Sequence, residues 1–271
     1  MKKKIIQTMA FFLRELDMRK RSFMWQIVWI VYDLMWAMSV GFLGLGVASI
    51  SGAEINTNQY VLYLLVGSFM WTYLSSVFSI VSWAITWERW EGTIEYTFMA
   101  PVKRIFHLVG NSIFAIIYGL IRMVIVFLIS SAVFDLNLQN ANLFAAGFIL
   151  ILASISFVGF GMMAAVLPLI SPENGEKTTM IVEAILMMVS GIFYPITILP
   201  IWMQPIARLS PATYALEAMR KAIVEHASIG SLWGLIWPLI ITGIVLIPLG
   251  NFVFKLGEQY VKRVGKLKRD G

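Results

Sequence analysis

The sequence predicts an all-α integral membrane protein, and three observations carry that prediction. Hydrophobic residues make up 59% of the chain and charged ones only 13%, with a mean hydropathy of +0.80; an ordinary soluble domain has roughly 45–50% apolar and 25% charged residues. Apolar stretches of about 20 residues or more recur with only short polar breaks, leaving room for six crossings but for no large additional soluble domain. Of the 21 Lys and Arg residues, seven fall in residues 1–21 and six in residues 255–271. Basic flanks beside apolar spans read as anchors on an anionic cytoplasmic membrane surface, so the net charge of +6 is assigned to lipid rather than to nucleic acid. Cysteine is absent, which excludes disulfides and thiol chemistry, and with only two histidines, His107 and His226, no metal site is expected.

Residues 1–21 are expected to form an amphipathic helix at the membrane interface. Ile5, Ile6, Met9, Phe12, Leu13 and Leu16 recur at helical spacing while Arg14, Asp17 and Arg19 take other faces. The spaced pattern argues against a cleaved signal peptide. A first span covers about 22–50, follows Arg19, Lys20 and Arg21, and ends in a polar stretch, 51–59, containing Glu54 and no basic residue; the amino terminus is therefore expected inside. Span two, about 60–86, returns to a charged segment, and span three, about 105–134, leads out to Asp135, Asn137, Asn140 and Asn142. Span four, about 143–170, comes back to a polar turn at 171–178 rich in helix breakers. Span five begins near Thr179. Pro195, Pro200, Pro205 and Pro211 then interrupt apolar sequence, and Ala212 to His226 reads as an amphipathic helix. Irregular backbone at membrane depth survives only where protein or water satisfies it, so this stretch is expected to hold short re-entrant helices on the outer side. Span six, about 232–254, ends at a basic tail, 255–271. The expected plan is one membrane domain in the cell membrane: residues 1–21 interfacial, 22–254 a six-span bundle, 255–271 a cytoplasmic tail, with both termini on the cytoplasmic side.

No phosphate-binding loop of the GxxxxGK[ST] type occurs, no soluble stretch is long enough for a nucleotide-binding domain, and no catalytic grouping stands out. The chain is not expected to be an enzyme or to bind a cofactor. Between spans two and three, WERWEGTIEYTFMAPVKRIF (87–106) is amphipathic. Glu88, Glu91 and Glu95 are spaced to share a helical face, Trp90, Ile94 and Phe98 form an apolar stripe, and Pro101 ends the helix before Lys103 and Arg104. Such a face can dock a partner. Within the spans, Asp33 and Arg122 lie at compatible depths and are expected to pair or to line a path, with Glu183 as an alternative partner, because a lone charge at membrane depth is costly.

Two segments resemble the type 2 ABC exporter permeases. EGTIEYTFMAPVKR (91–104) is similar to that family's segment after the second span, a Glu-Gly-Thr-Leu-Glu run followed by Pro and basic residues, with Ile94 in place of the commoner Leu. SGIFYPITILPIWMQPIARLSPATYALEAMR (190–220) is similar to its signature near the end of span five, with Pro195, Leu199, Pro200, Pro211 and Tyr214 in order. The resemblance implies a permease subunit that works with a second permease chain, identical or different, and with cytoplasmic ATPase subunits that carry the ATP and Mg. It makes the segment with Glu88, Arg89, Glu91, Gly92, Thr93, Glu95 and Pro101 a coupling helix seated on the ATPase, and it makes Tyr194, Pro195, Pro200, Pro211, Tyr214, Glu217 and Arg220 part of an extracellular gate. The expected cargo is an amphipathic, lipid-like, drug or glycan compound moved outward. The competing reading is a stand-alone secondary transporter using Asp33, Arg122 and Glu183 as an ion relay.

Overall fold

The computed structural model describes residues 2–50, 57–136 and 141–265. Glu54, Asn137, Asn140 and the tail residues Lys266, Lys268 and Arg269 lie outside the described residues. Every described element is helical: α1 (Lys2–Arg21), α2 (Phe23–Ile50), α3 (Thr57–Ser82), α4 (Ala84–Trp90), α5 (Ile94–Met99), α6 (Arg104–Val133), α7 (Leu143–Ala164), α8 (Val166–Ile170), α9 (Gly175–Val189), a 3-10 turn at Ile196–Ile198, α10 (Gln204–Leu209), α11 (Pro211–Ile223) and α12 (Trp233–Val264). Five stretches, α2, α3, α6, α7 with α8, and α12, are long and apolar enough to cross a bilayer. The remaining predicted span corresponds to α9. Its 15 residues reach roughly 22 Å at 1.5 Å per residue, short of a hydrocarbon core of about 30 Å.

Helix α3 sits at the centre, packed against α2, α6, α7 and α11, which is why Leu65, Leu74, Val77, Phe78 and Val81 are fully or almost fully buried. The tightest pair is α7 with α12. Gly243, Gly250 and Gly257 recur at intervals of seven, which keeps them on one face of α12. A Cβ on Gly243 meets Ile155, one on Gly250 meets the Gly159 carbonyl and Met162, and one on Gly257 meets Val166. Small residues let two backbones approach closely, which is the main source of helix attraction where lipid removes the hydrophobic drive.

Two predicted elements differ. The single helix expected over Glu88–Phe98 is two helices, α4 and α5, separated by a turn at 91–93. Gly92 takes a left-handed φ of +69°; its N–H donates to Arg89 O at 3.0 Å, and the Thr93 N–H donates to Glu88 O at 2.9 Å. This is a Schellman ending, which a glycine adopts without the Cβ penalty of other residues. The three glutamates consequently do not share a face: Glu88 is buried while Glu91 and Glu95 are exposed, and Ile94 and Phe98 are buried while Trp90 is exposed. The last span does not stop at 254. Helix α12 continues to Val264 because Phe254, Gly257, Glu258 and Val261 remain buried at spacings of three and four, and it ends where Gly265 turns left-handed at φ +70°.

Candidate functional site

At one end of the bundle, α1, α4, α5 and the ends of α6, α8 and α12 gather around buried charge. Helix α1 lies against α6, closest at Gly110, where an added Cβ would meet Thr8 O and Phe11. This contact turns Arg14, expected on a solvent face, toward the protein. Arg14 donates to Glu88 Oε1 at 2.6 Å and lies 3.7 Å from Glu15, and His107 Nε2 sits 3.2 Å from the same Glu88 oxygen. Glu88 and His107 are fully buried and Glu15 nearly so. Burial pushes the Glu88 and Glu15 carboxyls above their ordinary range, because desolvation disfavours the anion; the Arg14 guanidinium pulls both back down. Arg89, also buried, donates to Leu169 O at 3.2 Å at the end of α8.

A second clamp centres on Arg104. Its Nη2 donates to Phe98 O at 2.6 Å, its Nη1 to Thr97 O, and its Nε to Glu258 Oε1 at 3.2 Å; Lys262 reaches the same Glu258 oxygen at 2.7 Å. Because it donates to the last carbonyls of α5 and also bridges to α12, one guanidinium fixes three elements. What the two clamps leave outward is a compact surface: Trp90, Glu91, Glu95, Tyr96, Met99 and Pro101 are exposed, with Gly92 and Thr93 half-buried between them. Of the residues expected on the docking face, Glu88 and Arg89 therefore act from beneath it.

Deeper in the bundle, Arg122 of α6 donates to Asp33 of α2, the expected pair. The Arg122 guanidinium also lies 6.0 Å from the Trp29 ring centroid and 5.6 Å from that of Tyr118, so delocalised charge meets aromatic faces as well as a carboxylate. Glu183 takes no part in this pair. Its two carboxylate oxygens accept from Ser75 and Ser79 of α3, the latter at 3.0 Å.

At the opposite end, α9 breaks at Gly191, which takes φ +72°. The buried Arg220 holds the break: it donates to Gly191 O at 3.0 Å, to Ile192 O and to Tyr63 O at 3.4 Å, and stacks 3.7 Å from the Tyr63 ring centroid. Pro211 occupies the first turn of α11, where its missing N–H costs nothing. Tyr194 donates to Met188 O at 2.5 Å, Pro195 leads into the 3-10 turn, and Pro200 begins the turn to α10. Tyr214 packs against the main core. Glu217 is exposed and pairs with Lys221, 3.1 Å away. Arg220 is thus the organising residue of the expected gate, while Glu217 lies at its surface. Sequence reasoning missed Arg14, His107, Arg104 and Glu258 as a charge framework; basic and acidic residues near the ends of apolar spans were the available signal.

The model of the family described as ABC-2 type transporter matches residues 6–224. A protein described as a probable multidrug ABC transporter permease, YbhR, from Escherichia coli strain K12 is 22% identical over 169 residues, covering 61% of this chain and 44% of that protein. The same description and figures apply to its counterpart in Escherichia coli O157:H7. The chain thus spans less than half the length of the curated relatives it matches. The family match runs from α1 through the turn at Gly92 to the end of α11, and so includes both segments whose geometry is described above: the chain belongs to the ABC-2 type transporter family of multi-pass membrane proteins.

Proposed function

We propose that this chain is the membrane subunit of an ATP-driven exporter and that it receives the motion of a separate ABC ATPase through the surface formed by Trp90, Glu91, Glu95, Tyr96 and Met99. The observation that carries the reading is the contrast across 88–99. The outer side is acidic, aromatic and exposed, whereas the inner side is clamped by Arg14 on Glu88 and by Arg104 on Thr97, Phe98 and Glu258. A docking surface that flexed on its own would dissipate a push; one tied to α1, α6 and α12 passes it to the spans. Coupling of this kind needs an element that both sites bias.

In this reading the clamped end faces the cytoplasm, in keeping with the basic residues at both termini. Helix α9 with α10 and α11 completes a sixth crossing and forms the outer gate, whose break Arg220 holds. A second permease chain, identical or different, supplies the other wall of the path, and ATP and Mg bind the ATPase. The pairing of Asp33 with Arg122 occupies two of the three residues that a stand-alone carrier would use as an ion relay, leaving Glu183. The test is co-expression with an ABC ATPase subunit and purification in lipid. Exchanging Glu91 and Glu95 for Lys should abolish co-purification and lipid-dependent ATP turnover while the permease stays monodisperse. A double variant that holds the ATPase as wild type does would overturn the assignment.

A further inference from the structure

Glu183 is a half-buried carboxylate midway along α9 that, among the described residues, no cation neutralises. Asp33 has Arg122, Glu88 has Arg14, and Glu258 has Arg104 and Lys262; among the described residues no Lys, Arg or His pairs with Glu183, whose partners are the hydroxyls of Ser75 and Ser79. Thr72, Ser75 and Ser79 recur at spacings of three and four and so share a face of α3, and all three are half-buried. A carboxylate within the bundle needs a reason, because intramembrane ionisable groups are costly and are retained where they serve a pathway, and two hydroxyls of this α3 face supply its hydrogen bonds.

The surroundings of Glu183 suit a large organic cation. Met180 and Met187 lie one turn before and after it on the same face of α9, and thioether side chains adapt to irregular apolar shapes. Trp83, four residues beyond Ser79 in the turn that follows α3, is half-buried, and its indole nitrogen has no hydrogen-bond partner among the described residues; an indole face attracts cations. Among the described residues α9 packs chiefly on α3, α8 and α10, and Met180, Ile181, Ile185 and Met188 on its outer side are exposed.

We propose that Glu183, held by Ser75 and Ser79, is the charge-recognition point for a lipophilic organic cation, an amine or onium with aromatic or aliphatic bulk, in the transport path of this chain. The inference deepens the exporter reading and rests on it for the direction of movement; the recognition itself is measured without the ATPase. Two probes of nearly equal size and opposite charge separate electrostatics from greasiness: tetraphenylphosphonium and tetraphenylborate, titrated by equilibrium dialysis against the full chain in nanodiscs of uncharged lipid. The wild-type chain should bind tetraphenylphosphonium saturably. Glu183→Gln should weaken that binding at least about tenfold, which is about 1.4 kcal/mol, without weakening tetraphenylborate. Glu183→Asp should retain most of the affinity, and Ser75→Ala with Ser79→Ala should lose part of it.

Absence of saturable binding by the wild type, equal binding by Glu183→Gln, or a parallel loss of the borate would each overturn the proposal. If Glu183→Gln does not fold, undiminished binding by the double serine variant does the same. Retention of the ATPase by the Glu91 and Glu95 variant would overturn only the exporter reading, so the failures of the two readings are distinguishable.

Discussion

Arg14 of α1 and Glu88 of α4 form a 2.6 Å ion pair across 74 residues of sequence, with the carboxylate fully buried. Removing one member strands the other. Arg14→Met leaves a buried anion and is expected to cost about 3 kcal/mol, whereas Arg14→Met combined with Glu88→Leu, which fills the site with apolar volume, should recover more than half of that. Unfolding midpoints of the two single variants and the double variant in detergent form the cycle. A double variant as unstable as the sum of the singles means that the residues do not interact.

The same cluster predicts a pH dependence. Glu15 and Glu88 have native pKa values above the ordinary 4.5, so the folded state holds their protons more tightly than the unfolded chain does. Their contribution to stability is complete below about 4.5 and is lost as pH rises through the raised native values. The stability of the wild type relative to Glu15→Gln and to Glu88→Gln, from melting followed by tryptophan fluorescence, should therefore slope in favour of the wild type as pH falls toward about 4.5. A slope of opposite sign would refute the assignment.

Gly92 sits at φ +69° in the turn that separates α4 from α5. Gly92→Val forces a branched side chain into the left-handed region and is expected to destabilise by about 1–2 kcal/mol, with Gly92→Asn milder. Since the turn aims Glu91 outward, the valine variant should also lower ATPase-coupled turnover several-fold. Retained turnover at reduced stability would separate the shape of the turn from its role in docking.

Asp33→Asn and Arg122→Gln each leave one charge unneutralised among apolar helices, at an expected cost of about 3 kcal/mol. The combination of both should unfold closer to wild type than either alone, read from the midpoint of unfolding in denaturing detergent.

The long spans were legible because apolar runs and basic flanks are local properties of the chain. The Asp33 and Arg122 pair was legible for a related reason: two charges in apolar stretches at matching depth have few other solutions. The two-helix form of 84–99 was not, since the helical spacing of the glutamates and of Trp90, Ile94 and Phe98 masked Gly92, whose left-handed turn ends α4 and puts Glu88 and Glu91 on opposite sides. Nor was the Arg104 to Glu258 contact, which joins residues 154 apart; each charge read alone as a cytoplasmic flank. The extension of α12 to Val264 escaped notice because hydropathy falls after Phe254 while burial continues on one face.

The glycine face of α12 gives that extension a mechanical meaning. A rod gripped at its lower end by Arg104 through Glu258, and seated backbone to backbone on α7 at Gly250 and Gly159, has little compliance between grip and seat. In the proposed coupling, load entering at α4 and α5 would have two routes into the bundle, one through the Arg14–Glu88 pair and one along this strut. The strut reaches the far side of the bundle without passing through the central helix α3, so the two sides of the molecule can be driven in step by a single point of contact.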